Sequence, residues 1–103
     1  MIKQFSFVLT FVLLALFSNA QTLTNSPAAG VQAGHGLFLK NCAHCHGADA
    51  RGDEGPDLHK LDWTDEQITT RIRNGKKGQM TSFAGKLSAD QIKEIEDYLR
   101  TLK

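Results

Sequence analysis

Cys42-Ala43-His44-Cys45-His46 holds the only two cysteines in 103 residues and puts a histidine directly behind the second. Upstream of it, Gly34, Phe38, Cys42 and Cys45 recur at steps of four, four and three, with Leu37 alongside, which sets them along one helical face. A first helix is therefore expected to begin near Val31 and run into the motif. Four chemistries are open to these five residues: a zinc clip, a redox dithiol, a structural disulfide, or an attachment point for a larger group. Zinc needs four ligands, and His35, His44, His46 and His59 offer no second pair of recognisable spacing. A thioredoxin-like dithiol belongs beside a βαβ pattern, which is missing here. A disulfide suits an exported protein but leaves His46 without a role.

Downstream, residues 47–62 lose all periodicity; Gly47, Gly52, Gly55 and Pro56 mark a long loop of the kind that usually carries function. Thr64 with Gln67 is a capping-box pattern, Asp65 and Glu66 suit a first turn, and Ile68 and Ile72 share a face, so a second helix is expected from about Asp65 to Asn74. Gly75, Gly78 and Gly85 punctuate an irregular stretch around Met80. Ser88 with Gln91 repeats the cap, and Ile92, Ile95, Leu99 and Leu102 form the stripe of a third helix. No repeat and no convincing strand stands out. The fold class is therefore all-α, with about three main helices and long loops.

The N-terminus reads as an export signal: Lys3, an apolar run from Phe5 to Phe17 too short to span a bilayer, then Ser18 and Ala20 as small residues for cleavage. This divides the chain into a signal peptide at 1–20, a flexible leader at 21–30 and one domain at 31–103, placed in the periplasm with no stable membrane insertion after cleavage. The whole chain has a formal charge of +1, and without Lys3 acidic and basic residues balance, which argues against nucleic acid as a partner. A domain this small needs an internal staple.

Cys-x-x-Cys-His is also the signature of covalent haem attachment. Three residues of helix bring Cys42 and Cys45 to one side, where both sulfurs can form thioethers to one porphyrin edge. His46 can then reach the iron as the proximal ligand. With Gly34-x-x-Leu37-Phe38 before the motif, Gly47 after it, Gly55-Pro56-Asp57-Leu58 in the loop and Ile95-x-x-Tyr98-Leu99 in the last helix, the chain after its leader resembles a class I c-type cytochrome. The resemblance implies a small cytochrome c fold wrapped around one haem c. It also implies that the Pro56 carbonyl accepts a hydrogen bond from the other ring nitrogen of His46.

Met80, 34 residues beyond His46 and part of no helical stripe, is the leading distal iron ligand, with His59, Lys76 and Lys77 as rivals that read as surface residues. Thr81 follows it where the family commonly has proline. Leu58, Leu61, Ile68, Ile72, Phe83 and Leu87 are expected to wall an apolar pocket, and Trp63 either packs against the haem or offers its indole N–H to a propionate. Gly34 and Phe38 should meet Ile95 and Tyr98 where the first and third helices cross. No acidic residue lies between Glu66 and Asp90, whereas Arg71, Arg73, Lys76, Lys77 and Lys86 do, so a redox protein donor and acceptor are expected to dock on the Lys76/Lys77 side; Asp49, Asp53, Glu54 and Asp57 should lie on another. The expected activity is that of a monomeric one-electron carrier with no catalytic residue. The cytochrome subunit of a periplasmic dehydrogenase, a ligand-binding haem protein with a labile sixth site, and a small disulfide-linked interaction domain stay open as alternatives.

Overall fold

The computed structural model describes residues 26–103. The expected signal peptide and the first half of the leader, residues 21–25, lie outside that range. Among these residues four helices follow in order: α1 (Pro27–Asn41), α2 (Ala43–His46), α3 (Asp65–Asn74) and α4 (Ala89–Thr101). Among the described residues the only β-type pairing is an isolated antiparallel bridge between Lys76 and Met80. No helix among them is long and apolar enough to cross a membrane.

The first helix begins at Pro27, four residues before the expected start near Val31, so Pro27–Gly30 belong to α1 and not to a flexible leader. Proline at the first helical position has no N–H to leave unpaired and a φ already set for the helix, and Ala28 and Ala29 favour the helical state. The Ser26 carbonyl receives the N–H groups of Ala29 and Gly30 at 2.9 and 3.2 Å. At the other end α1 does not pass unbroken into the cysteine motif. The backbone at Cys42 turns out of helical geometry (φ −120°, ψ −31°) and the chain restarts as the four-residue α2.

Both expected capping boxes form. Thr64 Oγ1 accepts from the Gln67 N–H at 3.2 Å while the Gln67 side chain accepts from the Thr64 N–H at 2.8 Å; Ser88 and Gln91 repeat this at 3.1 and 2.9 Å. Each pair satisfies two donors that a helix start otherwise leaves free.

α4 packs against both α1 and α3. The crossing with α1 is centred on Gly34, where a Cβ would stand 1.8 Å from the Glu94 carbonyl oxygen, so no larger residue fits without moving backbone. One turn on, Phe38 is fully buried with its ring 5.2 Å from that of Tyr98. Ile92, Ile95 and Leu99 of α4 and Ile68 and Ile72 of α3 complete the core, together with Ala50, which the long loop inserts from the side. Glu96 is the single buried charged residue among the described residues, 3% exposed, and takes a hydrogen bond from the Thr69 hydroxyl of α3.

Candidate functional site

The helix break at Cys42 decides where the chemistry sits. By ending α1 at the core residue Phe38 plus one turn, it sets Cys42, Cys45 and His46 on the wall of a cleft of about 710 Å³, within the size range of small-molecule and cofactor sites. The loop segment from Glu54 to Leu58, with Leu61 and Trp63, lines the same cleft, as do Ile68, Arg71 and Ile72 of α3, the segment from Gly78 to Thr81, and Phe83. Phe38, Ile95 and Leu99 form its floor against the core. Of the residues singled out from the sequence, Cys42, Cys45, His46, Pro56, Leu58, Trp63, Met80 and Phe83 thus lie on one cavity.

His46 Nδ1 stands 2.9 Å from the Pro56 carbonyl oxygen. A carbonyl can only accept, so the proton is on Nδ1 and the lone pair of Nε2 is left free for another bond. Gly55 makes this approach possible. A Cβ there would come within 3.0 Å of His46 Cε1 and 3.1 Å of Nδ1, and its N–H is tied to the Cys45 carbonyl at 2.6 Å.

Cys42 and Cys45 are half-buried free thiols. Burial, and then the neighbouring Cys45, pushes the Cys42 thiol up to about 11, so it is neutral at ordinary pH. A thiol in that state is a poor thiolate ligand for a metal and a poor redox nucleophile.

Met80 is presented by a tight loop. Lys76 and Met80 exchange backbone hydrogen bonds at 2.8 Å in both directions. Gly75, with φ at +65°, lets the returning strand of the loop pass close, since a Cβ there would be 2.3 Å from the Met80 carbonyl oxygen. Beyond Thr81 the chain is pinned to the end of α3: the Ser82 hydroxyl and the Ala84 N–H reach the Arg73 carbonyl, and the Phe83 N–H reaches that of Ile72 at 3.0 Å.

Several expectations are corrected. His59 is not a surface residue: its side chain is 11% exposed and its Nδ1 is bonded to Asp57 and Ala50, outside the cleft. Leu87 packs against the core and is not part of the cavity wall. Glu54 and Asp57 are not on a separate side, because both line the cleft alongside Arg71 and Lys76, so its mouth carries both signs. Lys77 is exposed beside it. Trp63, 38% exposed, is faced by the Arg71 guanidinium 5.1 Å from the ring centre, a cation–π contact that no spacing in the sequence announces. Arg100 of α4 was likewise missed. It holds the Leu61 and Trp63 carbonyls and the Asp65 carboxylate, fixing the loop that brings Trp63 to the cleft.

Comparison with known proteins agrees with this geometry. The family described as cytochrome c oxidase, cbb3-type, subunit III matches residues 29–99. Among curated proteins, the cbb3-type cytochrome c oxidase subunit CcoP of Rubrivivax gelatinosus is 37% identical over 89 residues, which is 81% of this chain and 29% of that one. Subunit FixPc of Rhizobium leguminosarum bv. viciae is 34% identical over 89 residues, 78% and 31% of the two chains. The chain therefore spans about a third of the length of these relatives. Among solved structures, cytochrome cL of Methylophaga aminisulfidivorans superposes with a TM-score of 0.67 at 28% identity, covering 77% of this chain and 57% of that one. Cytochrome cL of Hyphomicrobium denitrificans gives 0.67 at 26% identity, over 73% and 48%.

The cofactor of such domains is covalently attached haem c, and the donor set here fits it: two neighbouring thiols, an imidazole with its Nε2 free, a thioether, and apolar walls around one cleft. From its all-α cytochrome c fold and the match over residues 29–99, the chain belongs to the c-type cytochromes, in the family described as cytochrome c oxidase, cbb3-type, subunit III.

Proposed function

We propose that the chain is a monohaem one-electron carrier of the periplasm, in which Cys42 and Cys45 would hold the haem, His46 (proximal) and Met80 (distal) would bind its iron, and Pro56, Leu58, Trp63 and Phe83 would belong to its pocket. The observation that carries this is the convergence of the thiol pair, an imidazole whose Nδ1 is committed to Pro56, and a thioether on one cleft. Bound haem c supplies a one-electron iron couple. Cys42 and Cys45, two free thiols on one wall of the cleft, would hold the group through their sulfurs. His46, by donating to Pro56, keeps Nε2 basic and its ring fixed. Met80 offers a soft, neutral sulfur, which favours the reduced state and raises the potential. The apolar walls exclude water, and no residue is asked to act as acid, base or nucleophile once attachment is complete.

The test is expression in a haem-attaching host. The expected product gains the mass of one haem, shows in its ferric state the weak long-wavelength band of sulfur bound to iron, and in its ferrous state resists carbon monoxide. Met80→Ala should lose the band and bind carbon monoxide readily. A colourless product would overturn the reading, and a wild-type protein that takes up carbon monoxide quickly would replace the carrier by a ligand-binding haem protein. The match to cbb3-type oxidase subunits favours a second setting, in which this domain relays electrons inside an oxidase assembly. A native mass of the protein from its own cell separates the two: the size of one domain for a carrier, that of a complex for a subunit.

A further inference from the structure

His59 is buried to about nine-tenths of its side chain yet stands outside the cleft, and the proposed electron transfer makes no use of it. Its Nδ1 lies 2.8 Å from Asp57 Oδ1 and 3.2 Å from the Ala50 carbonyl oxygen. A carbonyl oxygen and a carboxylate oxygen only accept, so Nδ1 carries the proton and donates to this pair. The same Asp57 oxygen receives the His59 N–H at 2.7 Å, and the Ala50 carbonyl also receives the Leu58 N–H at 2.9 Å. Together these bonds close residues 57–59 into a turn and moor it to Ala50. Ala50 is itself fully buried and held at φ +59°, a left-handed conformation uncommon for a residue with a side chain. On the other flank Gly55 is moored to the Cys45 carbonyl. Pro56 is therefore suspended between two anchors, and its carbonyl oxygen stands 2.9 Å from the His46 ring at Nδ1.

We propose that Asp57 and His59 are a positioning pair for His46: by fixing the turn that carries the Pro56 carbonyl, they set the strength of its bond to the His46 ring and so the balance between the oxidised and reduced protein. The proposal rests on the reading of His46 as the proximal iron ligand. Its chemistry is direct. A strong bond from Nδ1–H to Pro56 makes the imidazole more basic, which favours ferric iron; a slack turn weakens that bond and favours ferrous iron. Asp57 is suited to the task, since the His59 N–H and ring hold its carboxyl below the usual carboxylate range and keep it a charged acceptor at ordinary pH.

The experiment uses the holoprotein, with attachment verified by mass in every sample, so that failure of the haem reading shows in the wild type before any variant is compared. In His59→Phe the ratio of oxidised to reduced protein at fixed ambient potential should fall about tenfold, a rise of about 59 mV for one electron. Exchange of the His46 ring N–H with solvent, followed by NMR in the ferrous state, should speed up about tenfold. Asp57→Asn keeps an accepting oxygen and should retain slow exchange. If His59→Phe does not mature, Asp57→Ala is read against the same two measurements. An unchanged potential and unchanged exchange, with only a lower denaturation midpoint, would overturn the proposal and leave His59 as a brace for the loop.

Discussion

The Asp65 carboxylate receives two hydrogen bonds from one guanidinium, at 3.1 Å from Arg100 Nε and 2.7 Å from an Arg100 terminal nitrogen. That bonding lowers its carboxyl below the ordinary value of 3.8. A carboxyl that titrates lower in the folded chain than in the unfolded one contributes stability that is present above about pH 4 and lost as pH falls through the lowered value. The pair is exposed, so its worth is small and screened by salt. Asp65→Asn should therefore lower the denaturation midpoint by a small, constant amount from pH 5 to 8, and the gap from wild type should close below pH 4; a gap that persists in acid would assign the loss to helix capping instead. At this scale the sequence was legible in the spacing that brings Cys42, Cys45 and His46 to one cleft. It was silent on Arg100 and the Arg71–Trp63 contact and misplaced His59 on the surface, because each depends on contacts between segments far apart in the chain or on a loop path with no periodicity.

Helices were more legible than single contacts, for a physical reason that α3 and α4 make plain. Both begin with a capping box whose two residues stand three apart in sequence and bury a face whose period is set by the helix itself, so pattern and structure are the same fact. α1 was legible only in its middle. Ser26-Pro27-Ala28-Ala29 is a helix start, but amid small and polar residues it looks like linker, and the break at Cys42 leaves no mark because the apolar steps continue through it. Gly34 is the position where the expectation of close crossing can be tested most sharply. In Gly34→Ala the new methyl would overlap the Glu94 carbonyl of α4, backbone that cannot turn aside as a side chain can. Separating α1 from α4 should cost about 3 kcal/mol, the upper range for overpacking, read as a lower midpoint in chemical denaturation of the holoprotein. Gly36, whose Cβ would meet nothing, is the matched control: Gly36→Ala should leave the midpoint unchanged or raise it slightly.

For the molecule as a whole, what the sequence concealed was the distribution of charge around the cleft. A stretch of 23 residues without a carboxylate, from Gln67 to Ala89, predicts a basic face, and Arg71 and Lys76 do line the cleft with Lys77 exposed at hand. The fold, however, carries Glu54 and Asp57 to the same cavity, so its rim has a basic flank supplied by α3 and the Met80 loop and an acidic flank supplied by the long loop. A partner guided by charge is then oriented as well as attracted, because a surface of one sign is drawn to one flank and turned from the other. The consequence is measurable with small inorganic oxidants of equal size and opposite charge. The anionic oxidant should oxidise the reduced protein faster at low salt, through the Lys76/Lys77 flank. Its advantage should fade as ionic strength approaches 0.1 M, where the screening length shrinks to about 10 Å. Lys76→Glu with Lys77→Glu should slow the anionic oxidant several-fold at low salt and quicken the cationic one, leaving both unchanged at high salt. If the pair of substitutions alters neither rate, the basic flank is a solvated surface, and docking on that side must be governed by shape and apolar contact around the cleft mouth.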